Sequence, residues 1–110
     1  MSAKGLLIDY QWCTGCHSCE VACQMEHGLP PDQHGIVVNQ VGPWQLPDGS
    51  WQFDNIPSPT RQCDLCAART AKAELPTCVH HCQAKCMRYG DLEELAANLA
   101  TSPHQVLFSL

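Results

Sequence analysis

Eight of the nine cysteines in this 110-residue chain fall into two spaced sets, Cys13-x2-Cys16-x2-Cys19-x3-Cys23 and Cys63-x2-Cys66-x11-Cys78-x3-Cys82. The second set repeats the first with one change: the gap between its second and third members grows from two residues to eleven. Spacing this tight makes the chain turn until neighbouring thiols face a common point. Two-residue gaps can deliver three thiolates to adjacent corners of a four-iron cube. They also leave backbone N–H groups facing the sulfurs, hydrogen bonds that help set a reduction potential. Eight thiolates in two such sets are what two [4Fe–4S] clusters require.

The first set has the spacing of a bacterial ferredoxin loop, in which three thiolates close around one cluster and the fourth reaches another. The x3 step to Cys23 fits the start of a helix that carries this thiolate away from its own loop. Matching by order assigns Cys13, Cys16, Cys19 and Cys82 to a first cluster. Cys63, Cys66, Cys78 and Cys23 are then expected on a second.

Zinc is the rival metal, usually held by two separated Cys or Cys/His pairs. The second set would suit it alone, but three cysteines as close as Cys13, Cys16 and Cys19 suit several metal ions better than one. A disulfide scaffold fits worse, with an odd cysteine count and no secretory signal. The ninth cysteine, Cys86, reads as a small buried hydrophobe on a short strand. The alternative is a substitute ligand or a redox-active thiol. Of the six histidines, His17 lies inside the first loop, and His80 and His81 lie between Cys78 and Cys82. Eight thiolates already suffice, so no histidine ligand is expected, and His27, His34 and His104 carry no signal.

The formal charge of −5 is uneven. Residues 1–60 carry one Lys against six acids, whereas residues 61–110 balance. Two oxidised clusters with their thiolates bring the total to roughly −9, which disfavours nucleic acid and anionic membranes as partners. Arg61, Arg69, Lys72, Lys85 and Arg88 lie close in sequence to the second set, as ordinary solvated charge or as cations that offset cluster charge. No apolar run approaches a membrane span or a signal core. The expectation is a cytoplasmic chain, unless a signal-bearing partner exports it, without direct membrane insertion.

The length fits one domain over residues 1–110. A strand over Gly5–Tyr10 leads into the first loop, and a helix over Glu20–Glu26 ends at Gly28 as its C′ residue. A cysteine-free insertion, residues 29–60, holds a Pro47-Asp48-Gly49-Ser50 turn between apolar stretches, which predicts a hairpin. Its Trp44, Trp51 and Phe53 read as a local mini-core or as a docking surface. Alanine-rich sequence after Cys66 predicts a helix stopped by Pro76. A short helix over Val79–Ala84 and a strand over Cys86–Tyr89 follow. In the C-terminal segment, residues 91–110, Asp91 with Glu94 opens a helix to about Ala100 whose apolar stripe is Leu92, Leu95 and Leu99. His104–Leu110 closes as an extended tail, Val106 and Phe108 on one face. The order β–loop–α, insertion, loop–α–β gives an α+β fold with pseudo-twofold cluster loops, an inserted β-hairpin and a C-terminal helix. Small cores need staples, so folding should depend on the clusters.

With these motifs in place, the chain resembles the iron–sulfur subunits of the dimethyl-sulfoxide-reductase superfamily of molybdenum enzymes. Their sequences open with a run like Cys13-Thr-Gly-Cys16-His-Ser-Cys19-Glu-Val-Ala-Cys23 and contain a long-gap set like Cys63-x2-Cys66-x11-Cys78-x3-Cys82. The resemblance covers roughly residues 4 to 100. Many such subunits carry four sets where this chain has two, and Gln24 and Gln83 stand where a Pro often follows the fourth Cys. Short relatives of this kind also resemble subunits of flavin- or tungsten-dependent oxidoreductases. The resemblance implies a small two-cluster ferredoxin-like fold and an electron-transfer subunit. Its partner would be a catalytic oxidoreductase subunit of molybdopterin, tungstopterin or flavin type. No nucleophile with its base and no nucleotide loop is present, so the chain is expected to be non-catalytic itself. The alternatives are a free, diffusing two-cluster ferredoxin and a zinc-binding structural adaptor.

Overall fold

The computed structural model describes residues 3–101 and 103–109. The apolar run Leu6-Leu7-Ile8 forms the centre of strand β1 (Lys4–Asp9), and all three side chains are fully buried. A run without alternation needs cover on both faces, and β1 has it. Leu6 and Ile8 join a core that contains Cys19, Cys23, Cys78, Cys82 and Cys86. Gly5, one residue out of phase with Leu6, faces helix α4 (Leu92–Leu99), so closely that a Cβ there would strike the Leu92 side chain. On its two edges β1 pairs antiparallel with β4 (Met87–Asp91) and β5 (Gln105–Ser109). The expected tail is therefore the third strand of this sheet; Leu110 lies outside the described residues.

Helix α1 (Ser18–His27) begins two residues earlier than expected and ends as expected. Gly28 takes φ 61° and its N–H donates to the Gln24 carbonyl. Helix α3 (Thr77–His81) packs against α1, and together with β4 it repeats the β1–loop–α1 unit in reverse order. The expected Val79–Ala84 span is displaced. Pro76 stands as the N-cap in non-helical backbone (φ −52°, ψ 146°), so α3 begins at Thr77, and Cys82 is already extended at φ −73°, ψ 112°.

The helix expected after Cys66 is cut to one turn, α2 (Ala67–Thr70). Ala73 turns left-handed at φ 62° and the Glu74 N–H folds back onto the Arg69 carbonyl. A helix running on to Pro76 would carry the chain about 14 Å away, yet Cys78 returns to the cavity of Cys66. Closure of that cavity overrides alanine's helix propensity. Asp91 does stand at the N-cap of α4, but its carboxylate pairs with Lys4 and makes no cap bond. Of the predicted stripe only Leu95 is buried; Leu99 is exposed.

The insertion folds as the hairpin β2 (Ile36–Gln45) and β3 (Trp51–Pro59). Its turn is held by the Asp48 carboxylate, which accepts from the Ser50 N–H at 3.0 Å and hydroxyl at 2.6 Å. The base of the hairpin is core: Ile36 and Pro57 are buried, and the Thr60 N–H donates to the Gly35 carbonyl across the neck. The far end is solvent: Trp44, Trp51 and Phe53 are each more than half exposed. By strand register Trp44 lies opposite Gln52 and Trp51 opposite Gln45, so the two indoles leave from opposite faces. No mini-core forms from them.

Candidate metal centres

Each cysteine loop bends by placing residues in left-handed backbone. His17 (φ 63°) does so in the first loop, and Leu65 (φ 59°) and Cys66 (φ 51°) in the second. A side chain in that region costs about 1–2 kcal/mol per residue; here the bend turns the thiols inward. Cys13, Cys16, Cys19, Cys82 and Cys86 line one cavity. Cys23, Cys63, Cys66 and Cys78 line another, walled by Leu6, Ile36, Leu65 and Pro76. The eight set members thus gather into the two groups that their order gives, each group drawing three thiols from one set and one from the other. Among the described residues, no three His, Cys, Asp or Glu side chains converge closely enough to hold a single metal ion. The sulfurs are spread around cavities instead of around a point.

Burial dominates the chemistry of these thiols. It pushes Cys78 up to about 12, with the neighbouring sulfurs adding to the rise. Cys19 is likewise pushed up to about 12, first by burial and then by the Glu20 carboxylate. Cys23 is pushed to about 11 by burial, then by Cys66 and Cys63, against a lowering hydrogen bond from the Gly35 backbone. Exposed Cys16 goes the other way, lowered by its side-chain bond with Ser18. Buried thiols crowded in this way stay protonated near neutral pH unless a positive centre replaces their protons, and thiolates are what soft metal sites require. Such a donor set, offered four-fold from both halves of the chain, fits iron–sulfur clusters.

Glu20 ties the first loop to the hairpin: one carboxylate oxygen lies 2.6 Å from His17 Nδ1, and the other accepts from the Val38 N–H at 2.7 Å. At the second cavity the Thr77 N–H reaches Cys66 Sγ at 3.5 Å. His27 Nε2 lies 3.2 Å from the same sulfur, a contact that the sequence reading missed. A signal was available, because His27 follows Cys23 by four residues and so shares its face of α1. His80 and His81 enter neither cavity, and His81 Nδ1 lies 2.9 Å from the Thr77 carbonyl. Of the five cations near the second set, Arg69 sits beside Cys66, paired with Glu26 at 3.2 Å and Glu74 at 3.4 Å. Its charge pulls the Cys66 thiol down, against a larger rise from burial.

No family model matches the chain. Curated relatives do. The chain is 33% identical over 60 residues to the B component of polysulfide reductase from Wolinella succinogenes, across 54% of this chain and 31% of that protein. It is 34% identical over 77 residues to the B component of tetrathionate reductase from Salmonella typhimurium, across 70% of this chain and 27% of that one. With the B component of anaerobic dimethyl sulfoxide reductase from Escherichia coli it shares 24% over 90 residues, across 82% of this chain and 33% of that protein. The chain thus spans about a third of the length of the relatives it matches. The resemblance carried by its cysteine sets holds: this chain is related to the B components of polysulfide, tetrathionate and dimethyl sulfoxide reductases.

Proposed function

We propose that the chain is an electron-transfer subunit that relays electrons through two [4Fe–4S] clusters to or from a catalytic oxidoreductase subunit. One observation carries the reading: cysteines from opposite halves of the chain gather around two cavities, at least four to each. Cys13, Cys16, Cys19 and Cys82 would hold the first cluster, and Cys63, Cys66, Cys78 and Cys23 the second. Each cluster, when bound, takes up and gives back one electron. The protein's part is to hold the irons, exclude water with Leu6, Ile36 and Pro76, and direct donors such as the Thr77 N–H at the sulfurs. Cys19, Cys23, Cys78 and Cys82 share one packed core, which keeps the two sites adjacent.

The exposed surface supports a docked partner. The hairpin offers three exposed aromatics that a diffusing carrier would not need. The partner is a catalytic subunit, of molybdopterin, tungstopterin or flavin type. Anaerobic purification should give a brown protein with about eight iron and eight sulfide per chain. Stoichiometric zinc without sulfide would replace this reading with that of a structural adaptor.

A further inference from the structure

Three thiols of the first loop can occupy three corners of a cluster, leaving one corner to a residue from the far half of the chain. Two thiols stand there. Cys82 and Cys86 are both buried, their Sγ atoms lie 3.5 Å apart, and both line the cavity of Cys13, Cys16 and Cys19. The chain is bent to achieve this. The Lys85 N–H donates to the Cys82 carbonyl, and Lys85 takes a left-handed φ of 56°, so the turn folds Cys86 back against Cys82. The Asp9 N–H donates to the Cys86 carbonyl at 2.7 Å, and β1, which ends at Asp9, runs directly into the first loop. Cys86 is thereby fixed against the loop that supplies the other three ligands. A cysteine used only as a packing hydrophobe needs no strained turn and no second sulfur at contact distance.

We propose that Cys86 is a fifth thiol of the first cluster site, able to hold the iron corner otherwise held by Cys82. This rests on the two-cluster reading above. In the exchange the iron–sulfur bond to Cys82 breaks and one to Cys86 forms. The Cys86 thiol proton passes to the departing Cys82 thiolate across the 3.5 Å contact. No electron is transferred, and the charge of the site is unchanged.

The test is iron and sulfide analysis, with electron paramagnetic resonance of the reduced protein, on the wild type, Cys82→Ala, Cys86→Ala and the double variant. Each single variant should keep about eight iron, with an altered first-cluster spectrum in Cys82→Ala. The double variant should fall to about four iron while the spectrum of the second cluster survives as proof of folding. The inference is overturned if Cys82→Ala already falls as far as the double variant, or if Cys86→Ala alone loses a cluster. Should Cys82→Ala fail to accumulate, Cys82→Val, closer to cysteine in volume, is judged by the same criteria. A wild type without about eight iron would refute the two-cluster reading itself. A full wild type with a depleted Cys82 variant refutes only the exchange.

Discussion

Gly35 sits at the neck of the hairpin, where a Cβ would lie 2.5 Å from Cys23 Sγ and meet nothing else within 4 Å. Its φ is outside the left-handed region, so alanine there meets no backbone penalty and the whole effect of Gly35→Ala comes from one contact. To reach an ordinary separation of 3.4 Å the sulfur must retreat by about 0.9 Å. The neck cannot retreat instead, because the Gly35 carbonyl accepts from the Thr60 N–H at 2.9 Å. Overpacking of this kind costs roughly 1–3 kcal/mol, equivalent to a factor of about 5 to 150 in occupancy of the second site. The assay is anaerobic release of iron to a ferrous chelator, with resonance spectra resolving the two clusters. Gly35→Ala should release iron from the second cluster faster while the first stays as resistant as in the wild type. Gly28→Ala is the control: its φ of 61° strains the helix cap, but no atom lies within 4 Å of the new Cβ, so both clusters should stay. Wild-type resistance in Gly35→Ala, or equal loss from both clusters, would refute the assignment of Cys23 to the second site.

Three further outcomes are expected. Ile8→Ala empties a fully buried position of the central strand against the cysteine core, and thermal unfolding of the loaded protein should show a loss of about 2–5 kcal/mol. His27→Phe removes the ring nitrogen 3.2 Å from Cys66 Sγ; a lost hydrogen bond of ~1 kcal/mol corresponds to about 40 mV in a one-electron couple. Redox titration at fixed pH should find the second cluster lowered by that order and the first unmoved. Trp44→Ala with Trp51→Ala should weaken co-elution with the catalytic subunit at full iron content, because both indoles are exposed; parallel loss of iron would return them to a structural role.

The spacing of the cysteines, the Gly28 cap and the Pro47–Ser50 turn were legible because each is decided within a few residues. Tight Cys gaps force loops, a glycine in left-handed backbone ends α1, and the Asp48 carboxylate closes its own turn. The errors share a different cause. Ala67 to Leu75 has helical composition, but the chain must bring Cys78 back to Cys66, and that long-range demand ends the helix at Thr70 and reverses the chain at Ala73. Local sequence does not record it. The same holds for the Asp91 carboxylate, drawn from its cap by Lys4 across the sheet. It holds as well for the turn at Lys85 that sets Cys86 against Cys82. Trp44 and Trp51 had the composition of a mini-core, but a two-stranded hairpin offers no second layer to bury them.

The core and the site are one object in this chain. Of the ten described residues in the buried core cluster, five are cysteines, and of the others Leu6 and Ile36 wall one cysteine cavity and Met87 the other. A buried thiol contributes less apolar surface than a leucine in its place, so this core is weak as hydrocarbon. On the two-cluster reading, metal–thiolate bonds joining both halves of the chain supply what it lacks in bulk. Helices α1 and α3, only ten and five residues long, lie below the length at which isolated helices are stable, and they are held by packing against each other. Each carries thiols into the shared core. On the two-cluster reading, loading and folding of the cysteine half of the molecule should be a single transition, and a substitution that loosens either one should be read out in both.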